Sequence, residues 1–155
     1  MRSCSHLATA VSAPPAPEPQ GPARRLRELT KAECFELLAG EHLGRLAIVD
    51  DCGPVVFPVN YVLDRHTVVF RTEDGTKLDA AVRGSRACFE VDGSDAVAHT
   101  GWSVIVRGEI TEVTDGAELA RLRQLPVEAW APEARNRYIR LLPSVLTGRR
   151  IEVAR

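Results

Sequence analysis

Between Pro54 and Leu78 the chain reads PVVFPVNYVLDRHTVVFRTEDGTKL, two β-branched runs separated only by Asp64-Arg65-His66. So short a connection enforces an antiparallel return, because a parallel crossover needs a dozen or more residues. The first run, with Val55, Val56, Phe57, Val59, Tyr61 and Val62, is too densely apolar for a strand with one wet face. It suits a barrel wall or a sheet covered on both sides. Asp64 is a turn-favouring residue at the start of the connection, so 55–63 and 67–72 are expected as the arms of a hairpin.

The same reading extends in both directions. Strands are expected at 44–49, 87–91, 96–113 and 145–153, with Asp92-Gly93-Ser94-Asp95 as a turn and Gly101 and Gly108 marking bends in the long strand. Thr30-Lys31-Ala32-Glu33 is a capping box that starts a helix through Phe35, Leu37 and Leu38, and Gly40 is placed to stop it. Further helices are expected at 76–82, 118–125 and 132–142 from their apolar spacing. The sum is a mainly β protein with flanking helices (α+β), built on a six-stranded antiparallel barrel.

The 155 residues suffice for one core and not for two. Residues 1–25, with Pro14, Pro15, Pro17, Pro19 and Pro22, read as a disordered Ala/Pro-rich tail, and 26–155 as a single domain. Twenty basic against twenty-one acidic side chains give no global field that would favour nucleic acid or an anionic membrane. No apolar run reaches the length of a membrane span, and the four cysteines form no C-x-x-C pair, so a cytoplasmic location with reduced thiols is expected. His42, His66 and His99 lack metal-ligand spacing, and the chain has neither a phosphate loop nor a G-x-G-x-x-G.

The chemistry concentrates where the second hairpin strand ends. Arg71, Thr72, Thr76 and Lys77 bring two cations and two hydroxyls within a few residues of an expected helix start, a set suited to a phosphate. Taken singly, Arg71 and Lys77 also fit solvated charges, Asn60 a local backbone bond, Ser103 an outward polar position, and Trp102 a core residue.

Gly44-Arg45-Leu46-Ala47, Pro58-Val59-Asn60-Tyr61, Val69-Phe70-Arg71-Thr72, Gly75-Thr76-Lys77-Leu78, Phe89-Glu90-Val91-Asp92 and Thr100-Gly101-Trp102-Ser103-Val104 follow one another at characteristic spacing. In this order the chain resembles, over residues 28–151, the pyridoxamine 5′-phosphate oxidase-related proteins, the FMN-binding split-barrel family. The resemblance implies a homodimer with flavin mononucleotide (FMN) in the clefts between subunits. Pro58, Val59, Asn60 and Tyr61 would lie beside the flavin ring, partly through main-chain groups. Arg71 and Thr72 would stand near the ribityl phosphate, with Thr76, Lys77 and Leu78 after the turn. Ser103 would touch the cofactor, with Trp102 nearby. The implied activity is an FMN-dependent oxidoreductase acting on a small molecule, with no single side chain marked as its acid or base.

The chain departs from the family's authentic oxidase at its end. It finishes Thr147-Gly148-Arg149-Arg150-Ile151-Glu152-Val153, without that enzyme's arginine-bearing substrate segment, which argues against pyridoxamine phosphate as substrate. Three alternatives stay open: a reductase using the deazaflavin coenzyme, whose longer acidic tail would call on Arg45, Arg83 and Arg86; a noncatalytic flavin-binding or sequestering protein; and a structural dimer without ligand.

Overall fold

A computed structural model of the chain describes residues 22–50, 52–73, 84–127 and 137–154. Its strands are β1 (Arg24–Glu28), β2 (Leu43–Asp50), β3 (Gly53–Asp64), β4 (Thr67–Thr72), β5 (Arg86–Asp95), β6 (Thr100–Glu112) and β7 (Arg137–Val153), with helices α1 (Lys31–Gly40) and α2 (Gly116–Leu122). Every strand pairing is antiparallel. The order β1-β7-β4-β3-β2-β5-β6, with β6 returning to β7, closes six strands into a ring. The sheet therefore has seven strands rather than six, the extra one being β1, laid along the end of β7 from Arg24↔Val153 to Glu28↔Arg149.

Alternation builds the core. Leu46 and Ile48, Val59 and Tyr61, Val68 and Phe70, Phe89 and Val91, Val104 and Val106, and Ile139 and Leu141 all point into the ring and form one buried cluster. Each is worth about 1.5–3 kcal/mol against exposure. α1 adds Cys34 and Leu38 to that cluster. Its capping box forms as the sequence predicts, Glu33 N donating to Thr30 Oγ1 and Thr30 N to Glu33 Oε2. Gly148 lets the helix seat, since a Cβ there would stand 2.6 Å from Cys34 Sγ.

Two expectations change. Residues 137–142 are strand, because β7 pairs with β4 on one side and β6 on the other. The remainder of the helix expected over 132–142, like that over 76–82, lies outside the described residues. Asp92–Asp95 is no turn but the continuation of β5, paired with β6 out to Asp95↔Thr100. The reversal falls instead at 96–99, where Asp95 Oδ1 accepts from Val97 N and Ala98 N and His99 takes a φ of 51°.

A smaller core lies outside the ring. Val69, Val113, Leu122, Val127 and Tyr138 are buried there with Val62, Leu119 and Leu125 against them. α2 is held over this face by Arg121 on Asp64, at 2.8 and 2.7 Å, and by Arg140 on Glu118, at 2.9 and 3.0 Å. The Arg121 guanidinium keeps the Asp64 carboxyl below the usual carboxylate range.

Candidate functional site

β3 presents opposite chemistry on its two faces. Val59 and Tyr61 point into the ring, so they can meet a ligand outside it only through main-chain groups, whereas Pro58 is exposed and Asn60 half-buried on the outer face. The Tyr61 hydroxyl donates to Leu38 O at 2.6 Å, and its ring meets Phe89 edge-on at 4.9 Å between centroids. Burial, reinforced by the Glu41 charge, pushes this phenol up, which keeps the hydroxyl protonated near neutrality and removes it as a base. Tyr61 is a post that ties β3 to the last turn of α1.

Next to the Tyr61↔Phe70 pair that ends the β3–β4 register, Asn60 and Arg71 both face outward, and Arg71↔Tyr138 carries the row onto β7. The Arg71 guanidinium carbon lies 5.4 Å from the centroid of the Tyr138 ring, a cation–π distance. Thr72 turns inward and is 5% exposed at the strand end. The structure thus gathers Pro58, Asn60, Arg71 and Tyr138 on one surface. Thr76, Lys77 and Leu78 lie outside the described residues.

Trp102 and Ser103 are elsewhere. The Trp102 indole packs against the main core and over Gly93, where a Cβ would come within 2.7 Å of Nε1. This places it at the edge of the core, one of the two roles its sequence left open. Ser103 pairs with Asp92 and Arg149 and faces outward. Across β7 it is two strands from Arg71, but the two lie against distant positions of that strand, Arg71 opposite Tyr138 and Ser103 opposite Arg149.

A cavity of about 360 Å³ adjoins Asn60, between the end of α1 and the segment after α2. Ala39, Glu41, His42, Tyr61, Val62, Leu63, Leu125 and Pro126 complete its walls. The His42 carbonyl accepts from Tyr61 N at 3.0 Å and, more weakly, from Asn60 Nδ2 at 3.5 Å, which leaves the Asn60 amide with capacity to spare. Sequence reasoning passed over Glu41, Leu125, Pro126 and Tyr138. The readable signal was Glu41, an acid just past a helix that has no basic residue in its last turn.

Arg45 is already committed to Glu90 and Asp92, which weakens it as a grip for a longer acidic tail. Among the described residues no group of three His, Cys, Asp or Glu side chains could hold a metal ion, and no helix is long and apolar enough to cross a membrane.

Residues 30–150 match the family model described as pyridoxamine 5′-phosphate oxidase. The chain belongs to the pyridoxamine 5′-phosphate oxidase family. Within it, an uncharacterized protein of Mycobacterium tuberculosis is 34% identical over 134 residues, covering 83% of this chain and 88% of that protein. Among solved structures, an FAD-binding protein of Mycobacterium smegmatis is 38% identical with a TM-score of 0.70, covering 79% of this chain and 96% of that one. An FAD-binding protein of Mesorhizobium loti is 27% identical with a TM-score of 0.69, covering 81% and 97%. The mainly antiparallel split barrel expected of a pyridoxamine 5′-phosphate oxidase relative is the fold observed, with β1 added.

Proposed function

We propose that this protein is a flavin-dependent oxidoreductase that works as a homodimer on a small organic molecule. The observation that carries the reading is the outer row Asn60, Arg71, Tyr138: a cation held on an aromatic ring at a strand end, beside an amide with hydrogen-bonding capacity left and an apolar cavity. Such a surface fits a flavin. Arg71 would take the phosphate end, and Pro58, Asn60 and the main chain of Val59 and Tyr61 would line the ring. Once bound, the flavin supplies the hydride or electron transfer, and the chain supplies position and a water-poor wall.

The homodimer is favoured by the distance along β7 between Arg71, opposite Tyr138, and Ser103, opposite Arg149, which keeps the two apart in one chain. On the outer face of β2 and β3, Val49 is 71% and Val56 57% exposed. A second copy set on that face would remove those side chains from water. The family resemblance favours FMN, whereas the two named relatives bind FAD, so both enter the test.

The purified protein is examined for flavin absorption, then titrated with FMN, FAD and the deazaflavin coenzyme. Tight uptake of one flavin, weakened about 10- to 100-fold in Arg71→Ala, is the expected result, since a charge-assisted bond to phosphate is worth about 1.5–3 kcal/mol. Bleaching by a reductant with recovery on adding an acceptor distinguishes an oxidoreductase from a sequestering protein. Uptake of none of the three refutes the proposal.

A further inference from the structure

A second cavity meets α1 at its other end. About 460 Å³ open between Lys31 and Phe35 of α1, His66 of the β3–β4 turn, and Pro143, Val145 and Leu146 of β7. None of these residues belongs to the row proposed to hold the flavin. Two local preferences are broken at its rim. The first turn of a helix carries partial positive charge and favours acids, yet Lys31 is the first residue of α1. Its ammonium forms no ion pair among the described residues, and Glu33, the acid of that turn, is committed to Arg27 and Thr30. In the two-residue turn Arg65-His66, Arg65 takes a φ of 56°, a left-handed conformation that favours glycine. The turn delivers His66 to Phe35, the two rings meeting at 4.4 Å between centroids with a tilt of 44°.

The polar walls have one character. Lys31 supplies an ammonium and His66 a ring N–H, which imidazole keeps whether neutral or charged. Among the described residues no acidic side chain lines the cavity, and the Ser144 hydroxyl is turned away to donate to Arg107 O at 3.0 Å. Beyond Ser144 and Val145, Arg86 and Arg107 line a neighbouring cavity that likewise has no acidic wall, and neither forms an ion pair among the described residues. A cation set against a helix dipole and a non-glycine residue in a left-handed turn mark a rim whose balance an anion would restore. We propose that the cavity between α1 and the β3–β4 turn binds a small organic anion with a flat apolar body, an aryl carboxylate. Its carboxylate lies between Lys31 and His66, and its body lies over Phe35, Pro143 and Leu146. The site is separate from the flavin row and needs no bound flavin to form.

The test titrates naphthoate calorimetrically at pH 7 into the full chain, with naphthylmethylamine and naphthylmethanol as charge-reversed and neutral counterparts. Naphthoate is expected to bind more tightly than either, and less tightly as sodium chloride is added. Lys31→Gln is expected to weaken it by about three- to tenfold, as for a charge-assisted bond made by an exposed lysine, and His66→Leu by about threefold. Lys31→Gln removes a charge disfavoured at that helix end, so Tm should not fall and lost binding is not lost fold. Arg107→Gln reports on the neighbouring cavity and is expected to leave binding within about twofold of wild type. Saturation with flavin should leave naphthoate affinity unchanged. Absence of naphthoate binding, equal binding of either counterpart, or a larger effect of Arg107→Gln than of Lys31→Gln overturns the proposal. Competition between naphthoate and flavin also overturns it, by placing the ligand in the flavin row. Failure to take up any flavin refutes the functional reading alone, since titration of the colourless protein still decides the anion site.

Discussion

Replacing Tyr61 by phenylalanine tests whether this residue is a structural post or a cofactor ligand. The change keeps the ring, 2% exposed and edge-on to Phe89, and deletes one hydroxyl that donates to Leu38 O at 2.6 Å. Leu38 is itself fully buried, and its carbonyl is among the last four of α1, which lack forward partners within the helix. Removing the hydroxyl leaves that acceptor short of a partner, at a cost of about 1–3 kcal/mol. For a domain of this size each kcal/mol lowers Tm by about 2–4 °C, so a fall of roughly 3–10 °C is expected by differential scanning calorimetry. Flavin affinity should change less than about threefold, because the hydroxyl points into the ring and away from the proposed ligand. A Tm equal to wild type together with lost flavin binding would place the phenol on the cofactor and refute the orientation argued here.

Other consequences can be checked in parallel. Val56→Glu places a charge on the proposed dimer face and should shift the protein to monomer in analytical ultracentrifugation, with loss of bound flavin. Gly108→Ala should abolish soluble folded protein, because its Cβ would overlap the Leu142 carbonyl oxygen at the register shift between β6 and β7; wild-type urea stability would refute this. Hydrogen bonds from Arg27 and then Thr30 hold the Glu33 carboxyl down at about 2 against an ordinary 4.5. Its folded pKa is lowered, so its contribution is complete above about pH 4.5 and is lost as pH falls toward 2. Arg27→Met, which removes the largest of these bonds, should therefore flatten the acid limb of the stability profile, whereas Thr30→Ala keeps the backbone N–H and should flatten it less while lowering stability at pH 7 by about 1 kcal/mol.

Five of the ring strands and the 145–153 part of β7 were legible because their alternating or doubly apolar patterns suit a covered wall. β1 was not, since Arg24-Arg25-Leu26-Arg27-Glu28 has one apolar residue and owes its extended form to pairing with β7. Its charged side chains suit an edge strand, which must discourage further pairing. Tyr138, Ile139, Leu141 and Leu142 mimic helical spacing because β7 is apolar on both faces, Ile139 and Leu141 in the main core and Tyr138 in the outer one. The Asn60–Arg71 half of the site could be read from local motifs. The cavity could not, because Glu41 and Leu125 lie far apart in the chain and meet only when α1 and the segment after α2 pack against β3.

The alternation along β3 has an evolutionary corollary. Positions 59 and 61 answer to the barrel, while positions 58 and 60 answer to whatever lies outside it, so the two sets can drift on independent clocks. A lineage can exchange its ligand by altering these alternate residues of one strand, with no renegotiation of the core. A library randomised at 58 and 60 should consequently return many folded proteins of varied colour and specificity, whereas one randomised at 59 and 61 should return few that fold at all.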